Sequence, residues 1–216
     1  TYLNKYYNLN KYYNYYNIMD NKLDVIIVGF AKCGTTFLMN LLRKHDKVEM
    51  CKNELHYFDL HYSDKNYLNK KIDFSKKNKI FIEKSPSYCV IEPVAKRIYN
   101  YNKNVKIIFC IRNHEERILS HINMERGNRN EPRTLDNIIN SELKELSTLR
   151  VPKYALKIYI KRTLYYEQLK RYYSLFPKEN IFVFNIHNYK LEELYNFIGI
   201  EFKNYSEENI FKRIGR

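Results

Sequence analysis

A short loop bracketed by two glycines lies where a buried strand passes into a helix. The stretch DVIIVG, residues 24–29, is apolar and β-branched, as expected of a strand covered on both faces. The loop GFAKCG, residues 29–34, follows it, and Thr35 and Thr36 open a helix predicted at 35–45. A strand, G-x-x-x-x-G and a helix turn backbone N–H groups towards a phosphate. This feature predicts an α/β protein that binds a phosphorylated ligand.

Strand-like and helix-like segments alternate along the rest of the chain. Further strands are predicted at 79–84, 104–112 and 180–186. The further predicted helices are 92–101, 114–127, 134–148, 153–175 and 190–199. This alternation is typical of a parallel sheet covered by helices, so we predict an α/β fold with a P-loop-like central parallel sheet. In such sheets, ligands bind at the carboxyl ends of the strands.

The length of 216 residues gives room for one compact domain, which we place at 19–216. Residues 1–18, TYLNKYYNLNKYYNYYNI, have low complexity and no apolar periodicity, so a disordered tail is predicted there. A tail rich in Tyr and Lys could instead stack on single-stranded nucleic acid.

The formal net charge of +14 favours anionic partners, although the abundance of Lys, Asn, Ile and Tyr is equally compatible with drift in an AT-rich genome. The four cysteines show no close pairing, so neither a zinc site nor a disulfide framework is predicted. No run approaches the roughly 18 apolar residues of a membrane span, and no signal peptide opens the chain. A soluble protein of the cytoplasm or another intracellular compartment is therefore expected.

The lysine of the glycine-bracketed loop is not where an ATP-binding loop has it. The pattern G-x-x-x-x-G-K-[ST] places lysine directly after the second glycine, where this chain has Thr35. Its lysine is Lys32, inside the loop, and no acidic strand that would share a magnesium ion is identifiable. Such a loop suits a nucleotide with a shorter, metal-free 5′ group and argues against a small-molecule kinase. An ordinary strand–turn–helix with a chance glycine pair is the alternative.

Several segments in register resemble sulfotransferases that use 3′-phosphoadenosine 5′-phosphosulfate. GFAKCGTT is similar to their 5′-phosphosulfate loop. Four further segments follow in the order seen in heparan sulfate 3-O-sulfotransferases and in the N-sulfotransferase domain of the heparan N-deacetylase/N-sulfotransferases: NELHYFD (53–59), IEKSPSYC (82–89), KIIFCIRNHEERILSHINMERG (106–127) and YYEQLKRYYSLFPKENIFVFNIHNYKLEELYNFIGI (165–200). The resemblance implies the sulfotransferase fold and sulfuryl transfer to a hydroxyl or amine of a carbohydrate. It also implies release of adenosine 3′,5′-bisphosphate and no metal requirement.

Two groups of residues are predicted to hold the cofactor. From inside the loop, Lys32 can reach the oxygen that bridges phosphate and sulfate, and the resemblance implies the same role. The residues predicted to bind the 5′ phosphate are Lys32, Cys33, Gly34, Thr35 and Thr36. Arg112 ends a buried strand and Ser120 follows it by two helical turns, and the resemblance places the 3′-phosphate contacts on these two residues. Arg117, on the same helix, is predicted to be a structural ion-pair member.

The acceptor side centres on Glu54 and His56, which share a face if the segment is extended. The resemblance implies Glu54 as the general base, with His56 as its alternate or helper, and places Lys84 near the acceptor and the donor sulfate. Nearby lysines stabilise the carboxylate, and partial burial is expected to raise its proton affinity enough to work near neutrality. Lys52 and Arg133 are weaker candidates for acceptor contacts.

One part of the family pattern is missing. The family carries a cysteine-bracketed lid loop with a K-G motif after the helix that matches 190–199, whereas GIEFKNYSEENIFKRIGR runs almost directly into a terminal segment here. The cofactor would then be more exposed and the acceptor cleft reshaped, unless basic residues replace the lid. The candidates for that replacement are Lys203, Lys212, Arg213 and Arg216. A non-catalytic polyanion or nucleic-acid binder on a degenerate fold is the remaining alternative, but the intact set of predicted site residues favours an enzyme and makes nucleic acid the less favoured partner.

Overall fold

A parallel sheet forms the centre of the computed structural model, which describes residues 22–145 and 158–205. The strands are β1 (Val25–Gly29), β2 (Val48–Met50), β3 (Ile80–Lys84), β4 (Lys106–Ile111) and β5 (Ile181–Asn185). They are ordered β2-β3-β1-β4-β5, and every neighbouring pair is parallel. The predicted α/β fold with a central parallel sheet is confirmed.

Helices connect the strands and cover the sheet. They are α1 (Thr35–Leu42), α2 (Tyr67–Lys71), α3 (Glu92–Tyr101), α4 (His114–Gly127), α5 (Leu135–Glu145), α6 (Tyr165–Tyr173) and α7 (Leu191–Ile198). A π-helical turn spans Tyr57–His61, and 3₁₀ turns span Lys161–Thr163 and Lys178–Asn180. Each of these helices is too short or too polar to span a membrane in the part of the chain described.

The central position of β1 explains its unbroken apolar sequence. All five of its residues are buried, because β3 and β4 flank it and helices cover both faces of the sheet. The predicted apolar stripe of the first helix, Phe37, Leu38, Leu41 and Leu42, is buried in the same core.

The predicted and observed elements differ at two places. The short strand β2 was not predicted, because it is an edge strand of three residues in which only Val48 is buried. The predicted helix at 153–175 begins only at Tyr165 within the described residues, and its first part, 153–157, lies outside them. The N–H groups of Tyr159 and Ile160 donate to the carboxylate of Glu142 at 2.7 and 2.6 Å instead of to helical carbonyls.

The strand order brings three predicted site segments to one edge. Because β3, β1 and β4 are adjacent and parallel, the loops that follow Lys84, Gly29 and Ile111 leave the sheet side by side. The predicted tail at 1–18 and the proposed start of the domain at 19 lie outside the described residues, as do the basic residues beyond 205.

Candidate active site

The loop between β1 and α1 has backbone angles that suit a phosphate-binding turn. Lys32 has φ +69° and Gly34 has φ +86°, a left-handed conformation that is uncommon for a residue with a side chain. A Cβ on Gly34 would lie 2.6 Å from Cδ1 of Ile186, so packing also requires glycine there. Thr35 is buried and Thr36 is exposed at the start of α1. Within the described structure no side chain caps this helix end, so its first turn presents backbone N–H groups to an anion.

Lys32 extends from this loop towards α4. Its Nζ lies 3.5 Å from Sδ of Met124 and is half-buried. Burial lowers the pKa of Lys32, the nearby charge of Arg112 lowers it further, and Glu125 raises it in part. Two cations that destabilise each other in this way would both be stabilised by an anion between them. The loop and the end of β4 therefore form one electropositive region.

Tyr165 connects the loop to the end of β4. Its hydroxyl lies 3.3 Å from Sγ of Cys33 and donates to the backbone oxygen of Arg112 at 3.1 Å. Burial raises the pKa of Cys33 to about 11, so this thiol stays neutral and serves as a packing group. A cavity of about 450 Å³ opens beside this contact, and it is lined by Ile111, Arg112, Asn113, His114, Glu115, Tyr165 and Asn185. Lys32 and Arg112 thus belong to one region of the molecule.

Arg117 anchors the loop from behind. Its buried guanidinium donates to the backbone oxygen of Ala31 at 3.4 Å, to Oγ1 of Thr163 at 2.9 Å and to the backbone oxygen of Tyr159. These partners in the described structure are neutral oxygens, so the structural role predicted for Arg117 holds but the predicted ion pair is wrong. Backbone carbonyls of the loop and of the segment before α6 surround the guanidinium instead.

Ser120 lies on the side of α4 that faces the loop. It follows Arg117, which contacts Ala31, by three residues and precedes Met124, which contacts Lys32, by four. Residues with these spacings share one face of a helix. The structure thus puts Ser120 on the face predicted for a 3′-phosphate contact.

The residues predicted for the acceptor side form a chain of alternating charge. Nζ of Lys84 donates to Oε1 of Glu54 at 2.6 Å, and Nε2 of His56 lies 3.3 Å from the other oxygen of Glu54. The opposite ring nitrogen, Nδ1 of His56, lies 3.0 Å from Oδ2 of Asp59. The hydroxyl of Ser87 donates to that same Asp59 oxygen at 2.7 Å. Two carboxylates therefore hold the imidazole from both sides.

These contacts set the protonation states of the pair. The hydrogen bond with Asp59 and then the one with Glu54 raise the pKa of His56 to about 10, despite partial burial. Burial raises the pKa of Glu54, but hydrogen bonds from His56 and Lys84 outweigh it, and the net pKa is lowered. The expectation that burial would raise the proton affinity of Glu54 is therefore wrong. Near neutral pH, Glu54 is an anion able to accept a proton, whereas His56 is an imidazolium with no free lone pair.

A buried carboxyl group supports the backbone of this segment. Glu83 accepts hydrogen bonds from the hydroxyl of Ser85 at 2.5 Å and from that of Tyr88 at 3.0 Å. The Ser85 oxygen accepts in turn from the N–H of His56 at 3.0 Å. Burial raises the pKa of Glu83 to about 7. The supported segment is not extended as predicted, because His56 has φ +53° and a π-helical turn follows it.

Sequence reasoning missed four residues of this site: Glu83, Ser87, Asp59 and Tyr165. Asp59 stands within the motif NELHYFD, but an extended reading places it on the face opposite His56. A helical turn after His56 brings residues three apart together, and that turn is what the structure contains. No short-range pattern indicates Tyr165, because it contacts the loop from 132 residues further along the sequence.

Three other candidate residues have different surroundings from those of the hydrogen-bonded group around Glu54. Lys52 is exposed, two residues before Glu54. The guanidinium of Arg133 donates twice to the carboxylate of Glu131, at 2.8 and 2.7 Å, which gives it a structural function. Nζ of Lys203 bonds Oδ1 of Asp46 at 2.6 Å, just before β2 and so at the amino edge of the sheet. The suggestion that Lys203 replaces the lid is therefore wrong.

Comparison with known sequences identifies a family and several relatives. The sequence profile of the sulfotransferase domain matches residues 22–214. Heparan sulfate glucosamine 3-O-sulfotransferase 5 of Homo sapiens is 31% identical over 166 residues, which are 73% of this chain and 46% of that protein. Heparan sulfate glucosamine 3-O-sulfotransferase 6 of Mus musculus is 32% identical over 96 residues, 44% of this chain and 28% of that protein. The chain thus spans less than half the length of these relatives.

Solved structures agree at the level of the fold. A sulfotransferase from Alicyclobacillus acidocaldarius superposes with a TM-score of 0.69 at 20% identity, covering 89% of this chain and 90% of that one. The sulfotransferase domain of the olefin synthase from Synechococcus PCC 7002 gives a TM-score of 0.53 at 14% identity, over 84% and 74% of the two chains.

Proposed function

The chain belongs to the sulfotransferase family, and we propose that it transfers a sulfuryl group from 3′-phosphoadenosine 5′-phosphosulfate to a hydroxyl or amine of a carbohydrate. The observation that carries this proposal is the position of the Tyr165 hydroxyl between Cys33 and Arg112. This hydroxyl connects the loop after β1 to Arg112 at the end of β4. Lys84, which binds Glu54, ends the neighbouring strand β3 at the same edge of the sheet.

The loop after β1, the first turn of α1 and Arg112 fit a nucleotide that carries anionic groups at both ends. The uncapped first turn of α1 and Lys32 suit the 5′ phosphosulfate, and Arg112 and Ser120 suit the 3′ phosphate. When bound, the cofactor supplies the activated sulfuryl group. Lys32 would stabilise negative charge on the oxygen between phosphate and sulfate, an interaction that would be stronger in the transition state than in the ground state.

Glu54 acts as the general base in this mechanism. It is already ionised at neutral pH, so it could take the proton of the acceptor as the acceptor bonds to sulfur and the bond from sulfur to the bridging oxygen breaks, with adenosine 3′,5′-bisphosphate as the leaving group. Lys84 and His56 hold its two oxygens in place, and Asp59 keeps His56 charged. The names of the relatives supply the choice of a carbohydrate acceptor, and the net charge of +14 favours an anionic one.

A panel of glycans and small acceptors incubated with isotope-labelled cofactor, with products detected by mass spectrometry, tests the proposal. We expect labelled sulfate on at least one acceptor, and the variant Lys32→Ala should lower the rate about 10²- to 10³-fold. Lys44→Ala is the matched control, because Lys44 is exposed beyond the end of α1 and should leave the rate unchanged. Full activity of Lys32→Ala would refute the assigned role.

Binding and turnover measurements distinguish the sulfotransferase from the two alternative functions. A small-molecule kinase would bind ATP with magnesium in preference to adenosine 3′,5′-bisphosphate, whereas a sulfotransferase shows the reverse preference. A polyanion binder would show steeply salt-dependent binding of heparin or nucleic acid without any turnover.

A further inference from the structure

Arg112 is already paired with an anion of the protein itself. Its Nε donates to Oε2 of Glu116, in the first turn of α4, at 2.7 Å. The same Glu116 oxygen lies 2.9 Å from Nε2 of His187, which follows β5. The hydrogen bond from Arg112 lowers the pKa of Glu116, so this carboxylate is ionised at neutral pH. One carboxylate oxygen is thus shared between Arg112 and His187.

Two backbone N–H groups at this end of α4 are already in use. Oδ1 of Asn113 accepts from the N–H groups of Glu115 and Glu116 at 3.0 and 3.2 Å, which caps the helix. An incoming phosphate at this edge therefore depends on the guanidinium of Arg112 rather than on the helix end.

We propose that Glu116 is an internal competitor of the 3′ phosphate for Arg112, and that His187 holds the carboxylate once the phosphate has displaced it. This inference rests on the proposed function, because it assumes that Arg112 binds the 3′ phosphate. Its consequence is selective: Glu116 weakens binding of nucleotides with a 3′ phosphate and leaves binding of the 5′ phosphate alone. Weaker binding of the spent nucleotide also favours its release after transfer.

Binding measurements on the wild type and on Glu116→Gln test the competition. The probes are adenosine 3′,5′-bisphosphate and adenosine 5′-monophosphate, titrated by calorimetry at low ionic strength, where surface charges are least screened. Removing the negative charge should tighten binding of the bisphosphate about two- to fivefold, the range expected for a partly exposed charge pair. Binding of the monophosphate should change less than about twofold.

Glu115→Gln is the matched variant, since it removes the same charge from the neighbouring position without a contact to Arg112 in the described structure. It should tighten bisphosphate binding clearly less than Glu116→Gln does. Equal effects of the two variants, or equal effects on both nucleotides, would overturn the proposal. Failure of the wild type to bind the bisphosphate at all would instead refute the proposed function, so the two failures are distinguishable.

The role of His187 is tested by His187→Ala, which should have the opposite effect. Without its second partner the Glu116 carboxylate stays on Arg112, so bisphosphate binding should weaken about two- to fivefold. In the Glu116→Gln background the same change should have no effect. Weakened binding in both backgrounds would indicate a direct contact of His187 with the nucleotide and would overturn its role as the second partner of Glu116.

Discussion

Replacing Asp59 with Asn is expected to lower the pKa of His56 by more than any other single change at the site. The wild-type pKa is raised from 6.5 to about 10, and the hydrogen bond with Asp59 is the largest cause. At about 1.4 kcal/mol for each pH unit, the preference for the charged ring is at most about 5 kcal/mol. Because the His56 side chain is 32% exposed, solvent screening reduces the part that affects stability to about 2 kcal/mol.

The order of the causes makes this prediction specific. Asp59→Asn should bring the pKa of His56 down by at least about one unit, and Glu54→Gln should bring it down by less, because the Glu54 contact is the smaller cause and is longer, at 3.3 Å against 3.0 Å. Proton–carbon correlation spectra of the imidazole rings across pH 5–11 measure this directly, with His56→Gln used to assign the resonance. A His56 ring that titrates near pH 6.5 in the wild type would refute the reasoning.

The same shift predicts how stability depends on pH. A group whose pKa is raised by folding stabilises the protein fully below its unfolded pKa, here 6.5, and loses that contribution as the pH rises through about 10. The free energy of unfolding of the wild type should therefore fall relative to that of His56→Gln between these two values. Urea unfolding of both proteins at pH 6 and pH 10 gives the difference, and parallel pH profiles would contradict the charged state assigned to His56.

Three other changes test the loop, the buried carboxyl group and the arginine. Gly34→Ala should destabilise the protein by about 1–3 kcal/mol, from the left-handed backbone and the contact with Ile186; Gly127→Ala, with nothing within 4 Å of the added carbon, should not, and urea unfolding compares the two. Glu83→Gln should gain stability relative to the wild type by up to about 3 kcal/mol between pH 4.5 and pH 7, because a carboxyl pKa raised to about 7 penalises the native state as pH rises; unfolding at pH 4.5 and pH 8 measures this. Arg112→Ala should weaken binding of adenosine 3′,5′-bisphosphate about tenfold or more and leave adenosine 5′-monophosphate nearly unaffected in calorimetry, whereas equal losses would contradict a 3′-phosphate contact.

The sheet could be predicted from sequence because its strands are buried on both faces. The unbroken apolar run 25–29 predicts a buried strand, and helical periodicity predicts most of the helices between the strands. The edge strand β2 could not be predicted in the same way, since three residues with one buried side chain leave no pattern. Local preference predicts a helix over 158–164, because it does not include the distant side chain of Glu142. The carboxylate of Glu142 accepts hydrogen bonds from the N–H groups of Tyr159 and Ile160.

Candidate site residues could be predicted only where they stand within a recognisable motif. Glu54 and His56 stand two apart in the motif NELHYFD, which carries the resemblance to the family, yet the backbone at His56 is left-handed and not extended. Their protonation states depend on Asp59 and on Lys84, and Lys84 is the last residue of β3. Such balances between burial and pairing require distances, which a sequence does not contain.

The order β2-β3-β1-β4-β5 also determines when the chain can fold during synthesis. Of the five strands described, Val25–Gly29 is synthesised first; it occupies the middle of the sheet and has no neighbour until Ile80–Lys84 and then Lys106–Ile111 emerge. Long-range parallel pairing of this kind is slow, and the apolar strand stays exposed to other chains while it waits. A nascent chain halted before β4 would therefore be a substrate for chaperones, and the phosphate loop would take shape only after both flanking strands had docked.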